Sequence, residues 1–378
     1  MEIQYIDIVS LGVPFPPNYG GAIDVYYRIL ALQQSGIRVH LHCFVYDDKQ
    51  PSEEIERICE QVTYYKRDTG IRTLMSKLPY VVASRMPQML LSNLASGNGP
   101  VLFDGLHTCG FIGRKELKHR ATFVRMHNIE WEYYMFLYQT STSWWRKLHF
   151  RRESTKLRRF ERKVVHAADM ILAISVGDQR YFANRHDNVH ILRPFHPYDE
   201  VKVLPGEGDY ILLHGDLSVE DNLAVVEQLA AICIELGFRY KVAGRAPGEE
   251  GIARLQKLKN VELHLNVSSE EMLKLMQNAQ VQIIDSFITS GFKLKLLSAL
   301  FTARHVIARK ILVGKNLDTV IHTYTDRSEI ESLLIPLMQQ PVSPGDIATR
   351  KSVLLPNFSN AANASILTKL LSDYGSPS

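Results

Sequence analysis

The chain has 378 residues, which is too long for one compact core, so two domains are expected. Its composition, 46% hydrophobic and 22% charged, is that of a globular protein and excludes disordered, collagen-like and disulfide-scaffold classes. The net charge of +4 is too small to indicate a nucleic-acid-binding protein. Four widely separated cysteines without CxxC spacing disfavour a zinc ribbon or a dithiol redox site, and they fit a reducing cytosol.

No targeting or membrane-spanning segment is predicted. The first residues, MEIQYIDIVS, contain two acids and no basic leader, so they do not form a signal peptide. The longest uncharged runs, near residues 8–23 and 86–103, are interrupted by Pro, Gly and polar residues and do not fit a bilayer span. The sequence therefore predicts a cytoplasmic protein, attached at most to the inner face of the membrane.

Short apolar strands alternate with helical segments through the first half of the chain. The predicted strands are 5–10, 39–45, 62–65, 101–103, 122–126 and 170–174. A helix is predicted over 22–35, where apolar residues recur at helical spacing and Gly36 can end it. This alternation predicts a mostly parallel sheet with helices on both faces.

A Pro- and Gly-rich segment, 192–208, indicates a linker, after which the alternation starts again. The predicted strands are 210–213, 240–243, 261–265, 281–284 and 305–308; the predicted helices are 219–236, 251–258, 269–277, 292–301 and 360–371. The fold class is therefore α/β, with two Rossmann-like doubly wound domains facing across a cleft. The predicted domains are 1–197 and 198–355, with a last helix in 356–378 that returns to the first domain.

Two candidate loops lie in the first domain. The proline-rich loop 11–21 ends in Gly20 and Gly21 before a helix, where glycines admit a ligand and the helix N-terminus favours an anion. The alternative is a proline-stiffened turn, and the pattern is not GxGxxG. His127 follows the fifth strand and could act as an acid, a base or a hydrogen-bond donor, or could be structural.

Two more candidates follow strands of the second domain. Gly215, after the first of these strands, permits close ligand approach; the alternative is a plain strand–helix turn capped by Ser218. Arg245, after the next strand, suits a phosphate or diphosphate because its planar guanidinium bonds bidentately. A surface salt bridge is the alternative for Arg245.

The loop 289–299 joins a buried strand to a helix. Backbone N–H groups of Ser290, Gly291 and the next residue would lie at a positive helix end, with Lys293 and Lys295 beside them. This arrangement predicts a cradle for a nucleotide diphosphate, although it lacks the Walker pattern. The alternative is a helix cap with solvated lysines.

Residues 114–163 contain fourteen Lys or Arg against five Asp or Glu, together with all three tryptophans. In 144–163 aromatic and cationic residues are mixed as in interfacial helices, which predicts peripheral contact with an anionic membrane; a solvated helix face is the alternative. No RNA-binding module is present, so no nucleic-acid partner is predicted. The sequence has no HExxH, EF-hand or DxD motif, and Asp47 and Asp48 are merely adjacent, so a metal site is not predicted.

Taken in order, these motifs resemble those of the retaining glycosyltransferases of family 4, with the GT-B fold. The resemblance covers most of the chain and is greatest to the bacterial group described as glycosyltransferase group 1 or mannosyltransferase proteins of surface-glycan gene clusters. It rests on the following residues: Gly20-Gly21, His127, Glu161, Ala168-Asp169, Ala173-Ile174-Ser175, Gly215, Asn222, Val242-Ala243-Gly244-Arg245 and the segment from Ser290 to Ala299.

The resemblance implies that the second domain binds a nucleotide-sugar donor, with GDP or UDP as the nucleotide, and that the first binds a glycan or lipid-linked acceptor. Gly21 would lie near the donor phosphates, and His127 would contact the donor sugar. Ser290, Gly291 and the following amides would hold the diphosphate, whose charge Arg245 and Lys295 would balance. Transfer would proceed with retention, without cofactor or metal, in cell-envelope polysaccharide synthesis.

The sequence also departs from the family pattern. The family's two glutamates, eight residues apart, fall here on Ser290 and Ser298. The basic residue that the family usually has after the second domain's first strand is missing, and Asp221 stands near its position. These departures leave two alternatives open: the enzyme uses a different donor, or the protein is a non-catalytic GT-B partner of a true transferase. A sugar-nucleotide epimerase is a third hypothesis, although the acids and histidines that it needs are sparse.

Overall fold

The computed structural model describes residues 4–46, 49–288, 290–314 and 317–374. The chain divides into two compact units after Pro197. The first unit contains the chain up to Pro197, the short piece Ser290–Phe292 and the chain from Asn360 onwards. The second contains residues 198–288 and 293–359.

The first unit is built on a parallel seven-stranded sheet of order β3-β2-β1-β4-β5-β6-β7. Its strands are β1 (Tyr5–Ser10), β2 (Arg38–Val45), β3 (Gln61–Lys66), β4 (Val101–Asp104), β5 (Thr122–Met126), β6 (Met170–Ala173) and β7 (Val189–Ile191). Its helices are α1 (Gly20–Gln34), α2 (Glu53–Ile58), α3 (Ile71–Leu74), α4 (Tyr80–Ala83), α5 (Gln88–Ser96), α6 (Glu130–Thr140), α7 (Trp144–Ala167) and α8 (Val176–Ala183).

The second unit is built on a parallel six-stranded sheet of order β10-β9-β8-β11-β12-β13. Its strands are β8 (Ile211–Asp216), β9 (Tyr240–Arg245), β10 (Glu262–Leu265), β11 (Val281–Ile284), β12 (His305–Arg309) and β13 (His322–Tyr324). Its helices are α9 (Glu220–Glu235), α10 (Glu249–Gln256), α11 (Ser269–Asn278), α12 (Leu294–Thr302), α13 (Ser328–Leu337) and α14 (Pro344–Phe358).

Each face of the first sheet carries its own hydrophobic core, because successive strand residues point to opposite faces. On β1 and β4, Val9 and Phe103 belong to one core, whereas Ile8 and Leu102 belong to the other. The last helix, α15 (Asn360–Tyr374), adds its buried residues to the second of these cores and ends with the Tyr374 hydroxyl donating to the Asp169 carbonyl at 2.7 Å. The returning helix is thus part of the first unit.

The two parallel sheets confirm the predicted fold class, and several predicted strands fall on the observed residues, among them β1, β5 and β11. The helix predicted over 292–301 begins two residues later, at Leu294. The short strands β7 and β13 and the helix α14 were not predicted, because their apolar runs are short or interrupted by Pro. In both sheets the parallel strands end on one edge, where ligands bind in such folds.

Candidate functional site

A histidine and a carboxylate meet where β4 and β5 end. Asp104 is the last residue of β4, and His127 directly follows β5. The His127 Nε2 atom lies 3.2 Å from Asp104 Oδ2, and the imidazole keeps 19% of its surface exposed. The predicted site histidine is therefore held against a buried carboxylate while part of its ring stays accessible.

Beneath His127 lies a buried network of two carboxylates and two guanidiniums. Asp24 and Arg28 lie one turn apart on α1, with Arg28 Nη1 3.1 Å from Asp24 Oδ2. Arg28 also forms an ion pair with Asp104. Arg125 on β5 places its Nε 3.1 Å from Asp24 Oδ2. All four side chains are almost completely buried. Buried charges require such pairing, and here the two signs balance.

The network keeps both acids ionised. Burial by itself raises the pKa of Asp24, but Arg125 and Arg28 outweigh it, so this pKa lies below its usual value. Burial likewise raises the pKa of Asp104, but Arg28 and His127 outweigh this effect, so this pKa also lies below its usual value. Within this balanced cluster, the Asp104 carboxylate is the charged group nearest to the His127 imidazole.

Asp24, Asp104 and His127 offer three possible metal-ligand atoms within 4.8 Å of one another. The two guanidiniums of Arg28 and Arg125 already neutralise these carboxylates, so a divalent cation would add uncompensated positive charge. The donor set therefore suits an oriented histidine better than a metal ion. The adjacent acids Asp47 and Asp48 lie outside the described residues.

The loop that carries Gly20 and Gly21 leads directly into α1. The helix begins at Gly20 after Tyr19, and no described side chain caps its first turn. A Cβ atom at Gly21 would lie 3.2 Å from the Tyr19 ring, so a larger residue would crowd that ring. The glycine pair therefore forms a helix N-terminus of the kind that binds anions.

In the second unit, Lys295 lies in the first turn of α12 and is largely buried. Its Nζ donates to the Asp285 main-chain oxygen at 2.6 Å and to Asn222 Oδ1 at 3.3 Å. Burial lowers the pKa of Lys295 to about 8, against the opposing charge of Asp285. Lys295 is thus not the solvated lysine of the alternative interpretation. Its ammonium lies between the carboxyl end of β11 and the start of α9.

His214, near the end of β8, is a second buried group beside this lysine. Its Nε2 lies 3.0 Å from Gln282 Oε1, and Gln282 donates its own amide to the Met276 carbonyl. Burial and the charge of Lys295 lower the pKa of His214 to about 4, so the ring is neutral at pH 7. The neutral imidazole adds no second positive charge next to Lys295.

The glycines at the ends of β8 and β9 have different surroundings. Gly244 has φ +147°, and a Cβ there would lie 1.8 Å from the Gly215 carbonyl oxygen, so this position requires glycine for close strand approach. A Cβ at Gly215 would meet only Asn222, at 3.8 Å, which leaves room for a ligand. Gly215 is therefore the open position of the pair.

Arg245 is the last residue of β9 rather than a loop residue, which corrects the predicted strand end. Its guanidinium is 3.7 Å from Asp216 Oδ2 across the strand pair, and its side chain is 47% exposed. The neighbouring carboxylate offsets part of its charge. Arg245 is thus an accessible cation paired with Asp216.

The later start of α12 changes the predicted diphosphate cradle. Lys293 is the residue before the helix, and Ser290 and Gly291 precede it in non-helical backbone, with Gly291 at φ +72°. Ser298, in the middle of α12, is partly buried, and its side chain is hydrogen-bonded to Tyr198. Thr289, which opens the predicted loop, lies outside the described residues.

Several polar residues of these clusters escaped the sequence prediction: Asp24, Arg28, Asp104, Arg125, His214 and Asp285. Asp24 and Arg28 carried a signal, since an acid and a base one turn apart on an apolar helix face indicate a buried pair. Asp104 carried another, as an acid that ends a buried strand. The long-range pairing among them required the fold.

Solved structures of similar fold cover nearly the whole chain. Sucrose-phosphate synthase from Thermosynechococcus elongatus matches with a TM-score of 0.71 at 16% identity, over 98% of this chain and 99% of that one. S. aureus TarM matches at 0.70 and 9% identity over 99% of both chains. Anabaena HepE, solved in complex with UDP and glucose, matches with a TM-score of 0.66 at 13% identity, over 98% of this chain and 100% of that one. The chain therefore has the GT-B fold of these glycosyltransferases.

Comparison of sequences found a distant relative. No protein-family model matches the chain. An uncharacterized 44.6 kDa protein in the cps region of Klebsiella pneumoniae is 23% identical over 330 residues, which are 81% of this chain and 83% of that protein. Among the described residues, the helices are too short or too polar to cross a bilayer.

Proposed function

We propose that the protein is a glycosyltransferase that transfers a sugar from a nucleotide-diphosphate donor to a glycan or lipid-linked acceptor. One observation carries the proposal: Lys295 is partly buried and forms no ion pair with a described carboxylate. It lies at the start of α12, next to the end of β11 and the start of α9. Such a cation favours an anionic ligand, and helix N-termini favour a phosphate. Neighbours of this fold were solved with UDP or ADP, which supports a nucleotide ligand.

The proposed donor site lies in the loops at the strand ends of the second unit. Lys293, Lys295 and Arg245 would balance the diphosphate charge. Ser290 and Gly291 belong to the first unit, where the Gly291 N–H donates to Asp178 Oδ1 at 3.4 Å. Gly215 would admit the ligand. In the first unit, the helix start at Gly20 and Gly21 remains a predicted phosphate contact. Ser298 would offer the nucleotide ribose one hydroxyl in place of a carboxylate.

The proposed chemistry is transfer with retention and without metal. The bond between the anomeric carbon and the diphosphate oxygen breaks, and negative charge builds on the leaving group. Lysines and a helix N-terminus would stabilise that charge. His127, oriented by Asp104, would be the catalytic residue that contacts the donor sugar at the oxocarbenium-like carbon.

The donor and the biological setting belong to the same proposal. GDP-mannose is the proposed donor on the family resemblance, and a UDP-sugar is the alternative that the UDP-bound neighbours support. The relative in a cps region supports a role in cell-envelope polysaccharide synthesis. The proposed location is the cytoplasmic face of the membrane, contacted through the basic helix α7, where Trp144 and Trp145 are 61% and 66% exposed.

A thermal-shift panel of GDP, UDP, dTDP and CMP on the full chain tests the donor proposal. A nucleotide at about 100 times its Kd adds about 2.7 kcal/mol to the unit that binds it, which is a shift of several degrees. A GDP shift would favour mannose or fucose, and a UDP shift a hexose, N-acetylhexosamine or uronate. A panel in which none of the four nucleotides shifts the transition would contradict the proposal.

The serines at 290 and 298 favour a second candidate, a non-catalytic GT-B partner of a true transferase. Donor turnover distinguishes the two functions. The purified chain, incubated with the donor of the nucleotide that binds, is expected to release nucleotide diphosphate slowly by hydrolysis, and His127→Ala is expected to reduce this release at least tenfold. Nucleotide binding with no release in either protein would instead establish the partner function.

A further inference from the structure

Two arginines of the first unit share one tyrosine ring at the carboxyl ends of β2 and β3. Arg67 directly follows β3, and Tyr46 directly follows β2. The Arg67 guanidinium carbon lies 4.8 Å from the Tyr46 ring centroid, and that of Arg85 lies 5.5 Å from the same centroid. Two like charges are therefore held near one aromatic ring at the edge of the sheet where ligands bind.

Neither guanidinium is compensated by a carboxylate of the described residues. Among the residues that the structure describes, no acid forms an ion pair with Arg67 or Arg85, whereas Arg28 and Arg125 beneath His127 are both paired. Arg85 is only 4% exposed, and it donates to the main-chain oxygens of Leu11, at 3.1 Å, and Val81, at 2.8 Å. It also bonds to the hydroxyls of Ser84, at 3.4 Å, and Tyr46, and none of these acceptors is charged. The Arg67 Nε atom is buried and has no hydrogen-bond partner among the described residues.

This arrangement is unfavourable without a ligand. Burial and the nearby charge of Arg67 lower the pKa of Arg85 to about 10, which reflects the strain of the unbalanced positive charge. A buried N–H donor without an acceptor adds a further cost. An oxyanion that accepted from Arg67 and lay near Arg85 would remove both costs.

The loop 11–21, which leads to Gly20 and Gly21, lies directly beside the cluster. Arg85 donates to Leu11 at the start of this loop, and a Cβ at Gly12 would lie only 3.0 Å from the Tyr46 hydroxyl. At the other end of the loop, the Lys49 ammonium lies 4.8 Å from the Tyr19 ring centroid. The cations and rings thus flank the segment by which the chain enters α1.

We propose that Arg67 and Arg85, with the ring of Tyr46, bind an oxyanion group carried by the acceptor, either a phosphate or a sugar carboxylate. The assignment to an acceptor rests on the proposed glycosyl transfer, whereas the anion site itself does not. Guanidiniums bind both groups bidentately, and a tyrosine ring can stack against a sugar. The acceptor is therefore negatively charged.

Direct titration without nucleotide tests the site. The full chain is titrated with glucose 1-phosphate, glucuronate and methyl glucoside at constant ionic strength, with binding followed by ligand-detected NMR. We expect at least one charged sugar to bind at least tenfold more tightly than the neutral glycoside. A preference for the phosphate would indicate a phosphorylated acceptor, and a preference for glucuronate an acidic glycan.

Variants locate the binding. Arg67→Gln is expected to weaken the charged ligand at least tenfold, Arg67→Lys to restore part of the affinity, and the exposed Arg57→Gln to change nothing. Lys295→Met separates this site from the proposed donor site and should leave the binding intact. Equal binding of charged and neutral sugars, or loss in Lys295→Met but not in Arg67→Gln, would overturn the assignment. Nucleotide shifts are measured separately, so failure of the donor proposal is recognised independently.

Discussion

Lys295 is a partly buried charge whose desolvation affects the stability of the fold. The unfolded chain holds this proton to about pH 10.5, whereas the folded chain holds it only to about pH 8. Between these values unfolding takes up a proton, so the contribution of Lys295 makes the folded state more stable as pH rises. At pH 7 the charged side chain is a net cost to the fold.

We expect Lys295→Met to raise the free energy of unfolding at pH 7 by about 1–3 kcal/mol, because it removes a desolvated charge. The same change should weaken the binding of the preferred nucleotide diphosphate at least tenfold. Urea unfolding at pH 7 and pH 10 and nucleotide thermal shifts measure both effects. The exposed Lys310→Met, in the same unit, is the control. A destabilised variant with unchanged nucleotide affinity would contradict this role.

Asp104 has the opposite character, since it joins Arg28 and His127 in a balanced buried network. Asp104→Asn removes one negative charge and leaves Arg28 partly unpaired. We expect the free energy of unfolding to fall by about 3–5 kcal/mol, as for other broken buried pairs. Chemical denaturation measures the change, and Glu53→Gln on α2, an exposed acid of the same unit, serves as control. A loss below about 1 kcal/mol would show that the network is not cooperative.

At the scale of elements, three helices that follow β5 and β6 meet at one buried acid. Glu161 on α7 accepts from the Tyr181 hydroxyl of α8 at 2.7 Å, and that hydroxyl accepts from the Trp131 indole of α6 at 2.8 Å. The second carboxylate oxygen of Glu161 is buried and has no partner among the described residues. Burial raises the pKa of Glu161 to about 7.

The raised pKa predicts a pH-dependent stability. The contribution of Glu161 is fully present below its ordinary pKa near 4.5 and is lost as pH rises through about 7. Glu161→Gln keeps the hydrogen bond without the charge. We expect this variant to be about 1–3 kcal/mol more stable than the parent at pH 8 and nearly equal to it at pH 5. Thermal unfolding at both values decides, with Glu53→Gln as the control expected to show no such difference.

The start of α7 combines exposed aromatic rings with cations. The Trp144 and Trp145 rings stack with centroids 3.5 Å apart, and Leu148 is half exposed. Leu157, Phe160 and Val164 form the buried face of the same helix, which leaves its basic face to the solvent. This division favours an interfacial helix at an anionic bilayer.

Vesicle sedimentation tests the membrane proposal. The parent should bind phosphatidylglycerol vesicles better than phosphatidylcholine vesicles, with a loss at high salt because the attraction is electrostatic. The double variant Trp144→Ala/Trp145→Ala should bind at least tenfold more weakly, whereas Ile335→Ala, which removes an exposed apolar residue of the second unit, should not. Equal binding of the parent to both kinds of vesicle would exclude this surface as a site for anionic lipid.

At the scale of the whole molecule, the chain has two units with separate cores. If the donor binds mainly through the second unit, the nucleotide stabilises that unit more than the first. Calorimetry of the full chain should then show one of two transitions rising by several degrees with the preferred nucleotide. Lys295→Met should abolish the rise, whereas Arg67→Gln should preserve it. An equal rise of the whole profile would indicate that both units bind the nucleotide or unfold together.

Most of the strands and the fold class could be predicted from the sequence alone. Hydrophobic periodicity is a local property, so β1, β5 and β11 could be predicted within their observed bounds. Glycines and charged residues at strand ends could likewise be identified as candidates, since parallel sheets bring such ends to one edge. Local patterns predicted the start of α12 less well, because Lys293 and its neighbours are compatible with either a loop or a first turn.

The contacts of those residues could not be predicted, because they depend on the fold. Lys295 has the pattern of a surface lysine in the sequence, yet the fold buries it beside Asn222, 73 positions away. His127 gains its carboxylate from β4, and Arg67 and Arg85 meet around Tyr46 with no acid of the described residues paired to them. Burial and charge pairing depend on residues distant in the chain, and these long-range contacts shift the pKa values.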